Sequence, residues 1–151
     1  MSLDELGNLG EFIAAVATIF TLAYLALQIR QNTRALKTTS HQETTREATG
    51  FTSQLAGDAE LAEIFSIGTK DWSTLEDKDR LRLSMLLFGL FFNFQNIFTL
   101  HKSGAIDEEY WQSQLEVMRW YMSLPGVLHW WGLAKNRLRD SFVSFVEREI
   151  T

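Results

Sequence analysis

Residues 12–29 read FIAAVATIFTLAYLALQI, a run without one charged side chain. As a helix rising about 1.5 Å per residue it spans roughly 27 Å, close to the hydrocarbon thickness of a bilayer. Length and composition favour a transmembrane helix over the buried helix of a soluble domain. A cleaved signal peptide would open with a basic segment, whereas Asp4, Glu5 and Glu11 precede this run and no A-x-A cleavage site follows it. Arg30, Arg34 and Lys37 stand downstream. Basic flanks stay on the cytoplasmic side, so the N-terminus is expected outside and the rest of the chain in the cytoplasm. The three cations would then rest against anionic headgroups at the membrane interface.

Two spacings around this run point to self-association. Gly10, Ala14 and Thr18 recur every four residues, with Ala17 and Thr21 widening the same face. Small residues at that interval let helix backbones approach closely inside lipid. Further along, Leu22, Leu25, Ile29, Asn32 and Leu36 follow a three–four spacing like the seam of a coiled coil. A polar Asn32 within such a seam is a device for fixing register. A homo-oligomer held through Gly10, Ala14, Thr18 and Asn32 is therefore expected, with membrane lipid and an unidentified protein as further partners.

Outside the apolar run, the chain of 151 residues is long enough for one further domain. Hydrophobic residues at 46% and aromatics at 13% supply a core, and a single proline with few alternating runs argues against β structure. Cysteine is absent, which excludes disulfides and thiolate chemistry. The net charge of −5 lies wholly beyond residue 40, where 16 acidic residues face 11 basic ones. An acidic domain without a basic stripe is a poor partner for nucleic acid.

These features predict an all-α protein in three parts: a transmembrane anchor over 1–30, a polar helical stalk over 31–50 and a compact multi-helix domain over 51–151. The stalk is polar on every side and is expected to continue the membrane helix, with a kink or fraying at Thr38–Ser40. In the domain, a first helix over Phe51–Ile67 breaks at Gly57–Asp58. Ser73 and Glu76 have capping-box spacing ahead of the longest helix, which ends on Lys102–Ser103–Gly104. Asp107 is placed to cap the next helix, whose inner face carries Trp111, Leu115, Met118 and Met122. Pro125–Gly126 reads as a turn, followed by a short Trp130–Trp131 segment and a last helix with Phe142, Phe145, Val146 and Ile150.

The stretch Leu83–Leu100 (LSMLLFGLFFNFQNIFTL) is apolar nearly all round and long enough to cross a membrane. Asn93, Gln95 and Asn96 weigh against that, since amides in lipid are costly without partners. The expectation is a central core helix, buried on every side.

Chemistry is harder to find. His41, His101 and His129 lack the one-turn spacing to other ligands that a metal site needs, and Glu43 with Glu47 shares a face that His41 does not. Glu60 and Glu63 read as solvated surface rather than an acid–base pair. No nucleophile elbow, phosphate loop or dinucleotide fingerprint occurs. The expectation is a protein that is not an enzyme and carries no metal and no cofactor. Asn93, Gln95 and Asn96 are the polar residues to watch, because buried amides must be satisfied. With Trp130, Trp131 and the neighbouring phenylalanines they are candidates to line a cavity for an apolar or lipid-like ligand. A small channel lined by Thr18, Thr21 and Gln28 is the remaining alternative.

Three motifs resemble those of a family of small bacterial membrane-anchored helical proteins. They are the YLALQIRQNTRA run at Tyr24–Ala35 after the membrane helix, the D-x-E-L-A segment at Asp58–Ala62, and the P-G-V-x-x-W-W segment at Pro125–Trp131 before the aromatic helix at Ser141–Val146. The resemblance implies a bacterial inner-membrane setting and brings no activity with it.

Overall fold

A computed structural model describes the backbone of residues 3–150, with the side chains of 3–6, 9, 34, 36–38, 40, 41 and 43 outside the description. The described residues are helical without a strand. Six α-helices follow in order: α1 (Leu3–Gly57), α2 (Ala59–Gly68), α3 (Asp77–Lys102), α4 (Glu108–Met122), α5 (Pro125–Ala134) and α6 (Asp140–Glu149), with single 3-10 turns at Trp72–Thr74 and Lys135–Arg137. By contacts the chain forms two units, Met1–Thr38 and Thr39–Thr151. The boundary falls inside the polar stalk, although the backbone stays helical through residues 38–40.

Among the described residues, two helical stretches are long and apolar enough to cross a membrane, Gly10–Thr33 within α1 and Asp77–Lys102, which is α3. They differ in burial. No residue of the most apolar window of Gly10–Thr33 is buried in the protein, whereas half of the corresponding window of α3 is.

The second unit is a helical domain around α3. Leu83, Leu87, Phe91, Phe94 and Ile97 are its inner ridge, and Leu86 and Leu90 are buried beside them. Trp111, Leu115, Met118 and Met122 of α4 are all buried, the amphipathic face expected of them. The outer half of α3 departs from the expectation of burial on every side. Met85 and Phe92 remain 56% and 48% exposed and Leu81 lies further out still. An all-round apolar composition gives no periodicity to say which half faces in; neighbouring helices decide it.

Helix ends follow local side-chain chemistry. The Leu61 amide donates to Asp58 Oδ1 at 3.0 Å and the Tyr110 amide to Asp107 Oδ1 at 2.8 Å. Gly104 takes φ +71° after α3, where the Ala105 amide closes back on the Leu100 carbonyl at 2.9 Å; only glycine adopts that region without strain. Ser73 does not cap α3. Its amide and hydroxyl both donate to Asp71, at 2.9 and 2.6 Å, so the Asp71 carboxylate organises the 3-10 turn and lies below the usual carboxylate range because of those bonds. Glu76 precedes α3 without a side-chain capping bond. Pro125–Gly126 is likewise no turn but the first turn of α5, where a proline loses nothing by lacking an N–H.

The stalk's end belongs to the domain. Thr44 is fully buried and accepts a hydrogen bond of 2.8 Å from the Tyr110 hydroxyl of α4. Two turns on, the Phe51 ring meets Phe65 of α2 and Tyr121 of α4 edge-on at 6.1 and 6.3 Å. Burial of Tyr121 raises its phenol above the ordinary value. Thr49 and Thr52 turn their hydroxyls back to the Thr45 and Ala48 carbonyls, so a threonine-rich surface still satisfies its polar groups as a helix.

Candidate functional site

In the first unit, the residues singled out for self-association sit on an uncovered helix. Gly10, Ala14, Thr18 and Asn32 are all exposed, as are Leu22, Leu25 and Ile29 of the seam. The hydroxyls of Thr18 and Thr21 donate to the Ala14 and Ala17 carbonyls at 2.8 and 2.9 Å, and the Gln28 amide donates to the Tyr24 hydroxyl at 2.9 Å. The hydroxyl protons of Thr18 and Thr21 and one N–H of Gln28, the polar groups proposed to line a channel, are thus already spent within the helix. Of the three cations expected at a membrane interface, Arg30 is exposed, while the side chains of Arg34 and Lys37 lie outside the described residues.

The residues proposed to line one cavity in the second unit fall in three places. Gln95 is occupied structurally: its Oε1 accepts from the Arg139 amide at 2.7 Å, just ahead of α6. Trp130 and Trp131 are core. The Trp130 indole donates to Ser84 Oγ at 3.0 Å and its ring lies against Phe88 and Phe91 at 5.1 and 5.2 Å. Trp131 packs on Phe91 at 5.3 Å and keeps a buried indole N–H without a partner. Asn93 and Asn96 are the two that share an opening, and it lies away from the tryptophans.

That opening is a groove of about 530 Å³ between the end of α1 and the outer half of α3. Its volume lies within the roughly 300–1,000 Å³ of ligand clefts. Gly50, Phe51 and Gln54 form one side, Met85, Gly89 and Phe92 the other, and Leu86, Leu90 and Asn93 the base. A Cβ at Gly50 or Gly89 would meet nothing within 4 Å, so both glycines leave open space. Asn93 is 8% exposed and its Oδ1 has no hydrogen-bond partner. The groove joins a second recess of about 840 Å³ reaching Leu61, Leu81 and Arg82. Arg82 is already engaged there, with Glu60 at 2.8 Å and Asp58 at 3.3 Å, and its guanidinium holds the Glu60 carboxyl below the usual range. Sequence reasoning found Asn93 and Asn96 but not the groove, because its other side lies some forty residues earlier in the chain.

The D-x-E-L-A and P-G-V-x-x-W-W segments prove to be framework. Asp58 caps α2 and pairs with Arg82, and Glu60 pairs with the same guanidinium. Gly126 lies directly on the end of α2, its amide donating to the Thr69 carbonyl at 2.9 Å, with Val127, Trp130 and Trp131 buried behind it. His101 stacks on Trp111 at 4.4 Å and His129 on Trp72 at 6.2 Å. No cluster of three or more metal-ligating side chains occurs among the described residues. No family model, curated protein or solved structure matches the chain.

Proposed function

We propose that this protein is a single-pass, membrane-tethered helical module that self-associates and works through binding contacts rather than catalysis. One observation carries the reading: Gly10–Thr33 is long enough to span a bilayer and buries none of its most apolar window against the protein. Such a surface is stable in lipid and costly in water. The charge difference across the uncharged run 12–29, Glu11 on one side and Arg30 on the other, supports an outward N-terminus and a cytoplasmic domain at the inner membrane. Gly10, Ala14 and Thr18 on the uncovered helix support close approach of a second copy, and the back-bonded Thr18 hydroxyl adds no unsatisfied donor to that contact.

Two measurements on the full chain test it. A reporter active only in the cytoplasm, fused after Thr151, gives signal; activity from a periplasm-dependent reporter at that point overturns the topology. Detergent-corrected mass in nanodiscs reads assembly. The wild type forms a defined oligomer, Ala14→Leu weakens it by about tenfold, or 1.4 kcal/mol, and Asn32→Leu leaves it associated but mixed in copy number. A wild type that stays monomeric at micromolar concentration ends the self-association reading.

A further inference from the structure

The acidic residues leave one surface of the second unit bare. No Asp or Glu occurs from residue 80 to 106 or from 117 to 139, stretches that supply nearly all of α3 and the whole of α5. Where these two helices meet, apolar groups stand in water: Leu133 of α5 is 59% exposed and Phe92 of α3 is uncovered to a similar degree. They belong to one patch. The Phe92 ring stacks on Phe88 at 6.0 Å, and Phe88 lies at 5.1 Å against Trp130, one turn before Leu133. Cations border it. The Arg137 guanidinium donates to the Leu133 carbonyl at 3.3 Å and stands 5.9 Å over the Phe88 ring. The Arg139 amide is fixed by Gln95, one turn beyond Phe92 on α3. Lys135 is held by Glu147, whereas among the described residues no carboxylate forms an ion pair with Arg137 or Arg139. Glu47 stands on the far side of the groove from Phe92.

We propose that this patch docks on an anionic lipid leaflet, with Phe92 and Leu133 entering the headgroup layer and the Arg137 and Arg139 guanidinium groups binding lipid phosphates. Exposed aromatic and aliphatic side chains beside basic ones are the combination that a negatively charged interface holds. Arginine suits the phosphates because its planar fork gives two parallel hydrogen bonds to one anion. The inference rests on the reading of Gly10–Thr33 as a membrane tether. The chain leaves that stretch at Thr33 and enters the second unit at Thr39, so the tether offers the leaflet to the domain at high local concentration. A patch too small to recruit a free protein is then enough to hold a tethered one. A second copy fits the same surface less well. Across a two-fold axis it would set Arg137 and Arg139 against their own counterparts, with no carboxylate between them.

The test uses the full chain in nanodiscs of phosphatidylcholine alone or mixed with phosphatidylglycerol. The chain has no cysteine, so one introduced cysteine carries a nitroxide at a single place: Leu133→Cys in the patch, Phe20→Cys in the span or Glu63→Cys on α2. Relaxation by lipid-soluble oxygen against a water-soluble nickel chelate reads whether each label lies in lipid or in water. The Phe20 label lies in lipid in both discs and the Glu63 label in water in both. The Leu133 label lies in lipid only where phosphatidylglycerol is present, and added salt returns it to water. Arg137→Gln and Arg139→Gln each lower its lipid-to-water ratio about fivefold, the scale of one basic residue at an anionic surface, with the helical circular dichroism unchanged. A Leu133 label in water in both discs, with Phe20 in lipid, overturns docking and leaves the tether standing. A Phe20 label in water removes the tether and the docking with it. Shielding of the Leu133 label that is equal in the two lipids, or that appears only in discs holding more than one copy, also overturns the proposal, the latter in favour of a second copy.

Discussion

Gly126→Ala unfolds the helical domain or brings it to the edge of unfolding. A Cβ at position 126 would stand 1.8 Å from the Gly68 carbonyl oxygen and 2.9 Å from the carbonyl carbons of Gly68 and Thr69. All three are backbone atoms, so no rotamer change relieves the overlap. The end of α2 and the start of α5 would have to separate, breaking the Gly126 amide bond to Thr69 and exposing Val127 and Trp130. The expected loss is about 4 kcal/mol or more, large against the roughly 5–15 kcal/mol that holds a typical domain folded. Gly132→Ala is the control on the same helix. Nothing lies within 4 Å of its Cβ position, so the better helix propensity of alanine should make it neutral or stabilising by up to about 1 kcal/mol. Denaturant unfolding of the full chain in detergent, followed by circular dichroism, reads both. Similar midpoints for the two variants would contradict the close approach.

Trp130→Ala is the second large effect. Trp130 is essentially inaccessible, lies against two phenylalanine rings and gives its indole proton to Ser84. Truncation leaves a cavity at the centre of the core and strands the Ser84 hydroxyl, with an expected cost of about 3–5 kcal/mol. Trp120, more than half exposed on α4, is the comparison: its replacement by alanine should move stability by no more than about 0.5 kcal/mol. The same unfolding curves decide it, and equal losses from the two tryptophans would place the core elsewhere.

How far the chain could be read in advance depended on how local each signal was. Asp107 and the Trp111, Leu115, Met118, Met122 face were legible because a cap and a 3.6-residue stripe are both written within one short stretch, Asp107 and the helix that follows it. The break at Gly57–Asp58 was legible for the same reason, a glycine followed at once by a side chain that caps. Ser73 misled because its spacing to Glu76 suited a capping box, while the competing carboxylate, Asp71, stood two residues earlier. Pro125–Gly126 misled because the dipeptide usually marks a turn; here the proline starts a helix and the glycine serves a contact with α2 almost sixty residues away. The outer half of α3 and the groove beside it lay beyond local reasoning altogether. A uniformly apolar helix carries no phase, and which of its sides stays open depends on where Phe51, Phe65 and Tyr121 hold the end of α1.

That fastening of α1 has a consequence for the order in which the domain comes apart. Between residues 44 and 57, the side chains of α1 drawn inward are Thr44, Phe51 and Leu55, spaced along one side over three turns, and the rest face solvent. By contrast, α3 and α4 are buried along most of their inner sides. A segment with so few apolar contacts detaches at lower free energy than the helices beneath it. Its amides therefore exchange with deuterium through local opening, while those of α3 and α4 wait for the whole domain to unfold.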